Sequence, residues 1–383
     1  MKKREPQPVE KVGRCDFPLI ILVTILTMFG IVMVFSASYY TSINTSGTPY
    51  SYLKKQGVFA GIGFFIMLFF SRVDYRHIAK FARLFALVEI VLLLLIFTPL
   101  GKEVYNARRW LDFKIITVMP GELAKPVIIL LAAKYFSENM KRAKRLLSLL
   151  PLVLYTLFVC LLILKQPNLS TAITVFLIAF GVAFLAGMGW RYVLLLVGLI
   201  VGGSSYLFFI DTGYQHTRFV TFLDPFKNAM DEGFQVVQSL LALGSGGITG
   251  LGLGKSIQKN LYLPEPQNDF ILAIIGEELG FLGILVLMIL YALLIGRIFY
   301  IAVKARDNLG LLIAGGTGIM IGTQVILNVG VVTSSLPPTG VALPFVSYGG
   351  NALWVFMMLA GILLNISRKR VGREGRGEEA AEP

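Results

Sequence analysis

Apolar windows of about 20 residues recur along this chain from Phe17 to Ile366, each long enough to cross a hydrocarbon core about 30 Å thick. In such a core the backbone finds no water, so each window must satisfy its own N–H and C=O groups as a helix. The balance of residues agrees: 56% are hydrophobic and 15% charged, against roughly 25% charged in a soluble domain. The sequence therefore predicts an all-α polytopic membrane protein with about ten transmembrane helices.

The windows fall near 17–39, 54–71, 78–98, 116–136, 146–165, 169–188, 191–210, 270–297, 310–334 and 345–366. The first follows a basic segment, yet it is too long for a signal-peptide core and lacks a small-residue cleavage site, so it is read as a retained span. An even number of spans puts both termini on one side. Lys and Arg in the loops on that side outnumber those opposite by about two to one, which makes it the cytoplasm. Residues 1–16 and 367–383 are then cytoplasmic tails around one domain, 17–366, and the tail after Arg370 has a disordered composition. The longest extracytoplasmic piece, 211–268, lies between spans seven and eight and carries an amphipathic run, Gly233 to Leu243, suited to the membrane surface.

The formal charge of +13 is split among short loops and forms no single patch, so it speaks for membrane orientation and against nucleic acid. Cys15 and Cys160 fall at different membrane levels, and His77 and His216 have no cysteine nearby. Neither a disulfide framework nor a His/Cys zinc site is implied. Gly250-x-Gly252-x-Gly254-Lys255-Ser256 resembles a P-loop, but Thr249 replaces a required glycine and no strand precedes it. Ser51-x-x-Lys54 has the spacing of an acylating serine without a Lys-Thr-Gly partner.

Ionisable groups inside spans cost several kcal/mol unless paired or hydrated, and so are functional candidates. Glu122 and Lys125 stand at i and i+3 near the outer end of the fourth span, on one helix face. By helical rise, Glu277 and Glu278 lie at a depth similar to Lys125, and a shared outward-facing cavity is expected. Glu89, alone in the third span, reads as a packing residue. Asp269 enters the eighth span from Leu263-Pro264-Glu265-Pro266-Gln267-Asn268; it suits either a helix cap or a general base. Arg108, Arg109, Lys255 and Lys259 in outer loops suit a phosphate.

Together these blocks resemble one family, the SEDS proteins, also called FtsW/RodA/SpoVE. The likeness rests on Arg109-Trp110, Pro120-Gly121-Glu122-Leu123-Ala124-Lys125 and Gln166-Pro167-Asn168-Leu169-Ser170-Thr171. It continues through Gly233 to Ser239, Leu263 to Phe270, Gly276-Glu277-Glu278-Leu279-Gly280, Asn328-Val329-Gly330, Pro338-Thr339-Gly340 and Leu343 to Gly350. Pro266-Gln267 ahead of Asn268-Asp269 is more similar to the division and sporulation branch. The chain departs from the family pattern at Asn168 and Ser170, at Met119 and Gly121, and at Asn106.

The resemblance implies a peptidoglycan glycosyltransferase of the bacterial cytoplasmic membrane that polymerises lipid II beside a class B penicillin-binding protein. It places the catalytic aspartate at Asp269, with Arg109, Glu122, Lys125, Glu277 and Lys255 as diphosphate or cavity groups. A divalent cation such as Mg2+ is allowed by such chemistry, with no ligands named by the sequence. The competing readings are a lipid-linked-precursor flippase and a non-catalytic scaffold for division proteins. A flippase needs polar groups reachable from both leaflets, whereas those here gather in the outer half.

Overall fold

The computed structural model describes residues 15–368, less 105–106, 115–116, 195–197, 199–221, 223, 228–232 and 339. Most of the predicted seventh span, most of 211–232, and residues 1–14 and 369–383 of the two tails lie outside the described residues. The helices are α1 (Phe17–Ser46), α2 (Ser51–Arg72), α3 (Tyr75–Lys80), α4 (Ala82–Leu95), α5 (Pro120–Ser137), α6 (Leu146–Leu164) and α7 (Leu169–Leu185). They are followed by α8 (Phe234–Gly246), α9 (Ile271–Val303), α10 (Asn308–Val332) and α11 (Gly350–Arg368). Among the described residues, six helices (α1, α2, α6, α9, α10 and α11) are at least 18 residues long and apolar enough to cross a membrane. The chain is thus a mostly helical, polytopic membrane protein.

Polar clasps close one end of the bundle. Asp16 caps α1 by accepting from the Leu19 N–H, and its carboxylate also takes both Nε and Nη2 of Arg297 at 2.8 and 2.9 Å. Its own N–H donates to Ser367 Oγ at 3.3 Å, so the start of α1 meets the end of α11. Nearby, Asp307 caps α10 through the Gly310 N–H and accepts from the Tyr75 hydroxyl and Arg76 Nε. Asn365 accepts from the Tyr75 N–H and donates to the Ser71 carbonyl. Asp16 and Asp307 each serve twice, as a helix cap and as an interhelical tie, and Asn365 ties α11 to the ends of α2 and α3, so that few polar atoms tie many helix ends.

The opposite end departs from an all-helical reading. A three-stranded antiparallel sheet, β1 (Gly101–Val104), β2 (Ala107–Asp112) and β3 (Thr117–Val118), precedes α5. In β2, Ala107 and Leu111 are buried while Arg108 is exposed, the period-2 pattern of a half-covered strand. Lys102 pairs with Asp112 at 3.3 Å and Arg108 with Glu103 at 2.9 Å. Such a charged ribbon can exist only outside the hydrocarbon, where water satisfies its edges. The helix read from the sequence as the fourth span consequently starts at Pro120 and not at 116.

The eighth span is longer than expected and is broken. Gly280 sits inside α9 with φ 67° and ψ −169°, so the half-helix Ile271–Leu279 is set off from the remainder. Backbone groups freed by the break find partners in the glycine-rich stretch after α8. The N–H groups of Leu251 and Gly252 donate to the carbonyls of Glu277 and Glu278, and those of Phe281 and Leu282 donate to Gly247 and Ile248, all at 2.9 to 3.1 Å. Gly250 is required there, since a Cβ would collide with the Glu278 carbonyl. The stretch that resembles a P-loop is therefore a backbone splint for a broken helix.

Candidate functional site

Five segments converge at the end of the bundle that carries the sheet. Pro120 opens α5 with its fixed φ, which puts Glu122 in the first turn and Lys125 one turn below. The Lys125 ammonium donates to both Glu122 oxygens at 2.7 and 2.8 Å, and the two side chains are only 5% and 12% exposed. Asn168 caps α7 by accepting from the Thr171 N–H at 3.3 Å. Where the family pattern has aspartate, asparagine here does the same capping work. Gly121 explains itself by proximity: a Cβ there would meet Thr171 Cγ2 at 3.3 Å and Asn168 Nδ2 at 3.8 Å. Arg109 reaches from β2 to the turn before α7, donating from Nε to the Gln166 carbonyl at 3.3 Å and from Nη2 to the Pro167 carbonyl.

Asp269 stands at the approach to α9. The residue in the cap position is Phe270, and no side chain there accepts from the first turn of the helix. Capping therefore does not account for this aspartate. Its carboxylate is half-buried, and among the described residues no donor is bonded to it. Burial pushes the carboxyl up to about 6; Arg109 and Lys125 pull it down, while Glu122 and Glu265 push it further up. The loop before α11 folds against it: Gly340 has φ +70°, and a Cβ there would come within 2.8 Å of Asp269 Oδ2. That loop is tied down by the Tyr348 N–H donating to the Gln267 carbonyl at 2.9 Å and the Tyr291 hydroxyl donating to the Pro344 carbonyl at 2.6 Å.

The structure gathers Asp269, Arg109, Glu122 and Lys125, and it leaves Glu277 and Lys255 elsewhere. Glu277 is fully buried under the splint, accepting from the Ser256 hydroxyl and from the Ile257 N–H at 2.9 Å. Beside it Glu278 pairs with Lys259 at 2.7 Å and accepts from the Ser36 hydroxyl on α1. Helical rise alone put Glu277 and Lys125 at one depth; in the structure both glutamates are fully buried and bonded to the splint and α1, whereas Lys125 is bonded to Glu122. Lys255 is exposed, while Lys259 is 3% exposed. Arg108 is committed to Glu103 on the sheet surface. Glu89 is buried and accepts from the Tyr155 hydroxyl at 3.3 Å through one oxygen only.

Glu265 escaped notice in the sequence, although it acts on Asp269 and accepts from the amides of Gln267 and Asn268 at 2.8 and 3.0 Å. Its signal was the run Pro264-Glu265-Pro266 four residues ahead of the aspartate. Among the described residues the donor set does not fit a divalent cation held by protein ligands alone. Among the described residues no three His, Cys, Asp or Glu side chains gather, and both Glu122 oxygens already face Lys125.

These features define an integral membrane protein with a half-buried carboxylate, to which no donor is bonded among the described residues, and two cations at the bundle end opposite the Asp16–Ser367 clasp. The comparisons narrow the class. Residues 17–372 match the FtsW/RodA/SpoVE family model, described as cell cycle protein. A probable peptidoglycan glycosyltransferase FtsW of Geobacter metallireducens is 36% identical, covering 95% of this chain and 97% of the relative. Stage V sporulation protein E of Bacillus subtilis is also 36% identical, with 92% and 97% covered. Among solved structures, a peptidoglycan synthase complex that coordinates polymerization and crosslinking aligns with a TM-score of 0.76 at 27% identity, covering 92% of this chain and 98% of that one. The rod-shape-determining protein RodA of Thermus thermophilus aligns at 0.68 and 27%, covering 94% and 98%. The chain belongs to the FtsW/RodA/SpoVE family.

Proposed function

We propose that this chain, a peptidoglycan glycosyltransferase by family, polymerises lipid II on the outer face of the bacterial cytoplasmic membrane with Asp269 as its general base. The observation that carries the reading is the state of that carboxylate: half-buried, raised to about 6, without a bonded donor among the described residues, and within the field of Arg109 and Lys125. A base works best when its pKa lies near the working pH, and burial has moved this one toward it. As the acceptor hydroxyl oxygen bonds to the anomeric carbon, its proton passes to an Asp269 oxygen. The bond from that carbon to the diphosphate oxygen breaks, and the electron pair leaves with the lipid diphosphate. In this reading Arg109 stabilises the charge developing on that group, and Lys125 adds to the field. One displacement inverts the sugar from an α-linked diphosphate to a β-linked glycan.

The orientation follows from the basic residues. Arg76, Arg297 and Arg368 mark the clasped end, which is the cytoplasmic end by the positive-inside rule. The site then faces outward, as an extracytoplasmic substrate requires. A class B penicillin-binding protein is the partner, supported by the likeness to a synthase complex in which polymerization and crosslinking are coordinated. Division or sporulation is the process the branch-specific Pro266-Gln267 favours.

The test is Asp269→Asn, purified with the same partner as wild type and given labelled lipid II. Asparagine keeps the size and cannot accept the proton, so polymerisation should fall by about 10² to 10⁴, with insertion and partner binding intact. Because Asp269 caps nothing, the melting temperature should stay unchanged. A mutant that makes polymer at the wild-type rate sinks the base assignment, and vesicle translocation without polymer would favour a flippase.

A further inference from the structure

On α10, Asn328 is 1% exposed, yet its side chain reaches two separate pieces of main chain. Its Nδ2 donates to the Asp269 carbonyl at 2.7 Å and to the Val341 carbonyl at 2.6 Å. Both protons of one amide are therefore spent on a bridge between the aspartate's own backbone and the loop that crosses over it. The residue before Val341 is Gly340, whose backbone lies against Asp269 Oδ2. On the far side, the Ser170 hydroxyl of α7 donates to the Gly340 carbonyl at 3.4 Å.

We propose that Asn328 is a positioning residue for Asp269, clamping the Gly340–Val341 strap over the aspartate so that its carboxylate is held at one place and one degree of hydration; this rests on Asp269 being the base. Two carbonyl oxygens do not approach each other unaided, because their dipoles repel. A donor between them removes the repulsion, and a planar amide with two N–H groups fixes the angle as well as the distance. A misplacement of about 1 Å at a reacting group can cost about 10² in rate, so a buried clamp that never touches substrate can still govern turnover.

Charged groups facing Asp269 are Arg109 from β2, Glu122 and Lys125 from α5, and Glu265 from its own loop. Substitutions in the clamp leave all four in place, so changes in the pH profile report on the hydration and position of the Asp269 carboxylate among them. Asn328→Leu is neutral and similar in volume but has no donor. The strap should lift, water should reach the carboxylate, and its pKa should fall from about 6 toward the ordinary 3.9 or so. Gly340→Ala acts from the other side, straining the strap at φ +70° and placing a methyl against Oδ2. It should displace the carboxylate and exclude water, raising the pKa.

Both variants, in full-length chain purified with its partner, should lose about 10- to 100-fold in kcat on lipid II with KM changed less than about two-fold. The acid limb of the rate profile should move to lower pH in Asn328→Leu and to higher pH in Gly340→Ala. Wild-type kcat in both folded variants overturns the clamp, and so does a loss of kcat with an unmoved acid limb in both, which marks a merely structural role. Should Asn328→Leu fail to fold, Gly340→Ala decides alone. Asp269→Asn run alongside separates the two failures: if it is inactive while both clamp variants behave as wild type, only the clamp is wrong.

Discussion

Lys125 holds both oxygens of Glu122, at 2.7 and 2.8 Å, one helical turn apart at the buried start of α5. Removing one partner from such a pair leaves an uncompensated charge and typically costs about 3–5 kcal/mol, more than the pair itself contributes. Lys125→Ala should therefore lower both polymerisation, at least tenfold, and thermal stability. Lys125→Met with Glu122→Gln should recover the stability and leave polymerisation low, because the field on Asp269 is still changed. A double variant as active as wild type would make the pair structural only.

A second buried pair, Glu278 with Lys259, has no part in the proposed chemistry. It ties the splint to α9 and, through the Ser36 hydroxyl, to α1. Lys259→Met should lower the melting temperature markedly, by the same cost of about 3–5 kcal/mol for stranding a buried carboxylate. Lys255→Met, four residues earlier on the exposed face of the splint, should change neither stability nor KM by more than about twofold, since exposed single charges contribute little. A selective KM rise in the Lys255 variant would restore it to the diphosphate site.

What the sequence made legible follows the physics that acts along one dimension. Hydropathy located the long described helices because lipid imposes its length on every window, while the window 78–98 is divided between α3 and α4; the approach of Glu122 to Lys125 follows from helical period alone. Glu277 was misplaced because depth is readable from rise, while direction depends on a break at Gly280 that only the opposing splint makes affordable. The β1–β3 sheet was missed for a different reason: a window tuned to 20 apolar residues averages away the alternation of Ala107 and Leu111. Lys255 and Lys259 look equivalent in a loop, and only the fold decides which one turns inward to Glu278. Asn328 was visible as part of a block, but its use on two carbonyls separated from it by 59 and 13 residues is not a local property.

Orientation can be tested directly. The clasped end, with Asp16, Arg297 and Arg368, is assigned to the cytoplasm, and the sheet with Arg109 to the outside. A reporter active only outside the cytoplasm should work when fused in the β1–β2 turn or within residues 211–268, and fail after Arg370. An impermeant thiol reagent should likewise label a cysteine introduced at Lys255 from the outer side. Labelling only after membrane permeabilisation would reverse the assignment and remove the site from its substrate.

The cation nearest in effect to Asp269 gives the sharpest dependence on pH. Arg109 is the largest of the opposing influences on that carboxyl, holding it below the level that burial would otherwise set. The working form of a base is the unprotonated one, so the wild-type rate should fall as pH drops through about 6. In Arg109→Gln the lowering influence is gone while burial, Glu122 and Glu265 still push upward. The folded-state pKa must then rise, and the acid limb must move to higher pH. Lost stabilisation of the leaving diphosphate should act at the same time, reducing the plateau rate by about 10² or more, as loss of a preorganised charge-stabilising group does. The two effects separate in one experiment: initial rates of lipid II polymerisation from pH 5 to about 9 give the plateau and the limb independently. A lowered plateau with an unmoved limb would place Arg109 on the diphosphate but away from Asp269. A limb shifted to lower pH would contradict the sign of the interaction and, with it, the arrangement of β2 over the site.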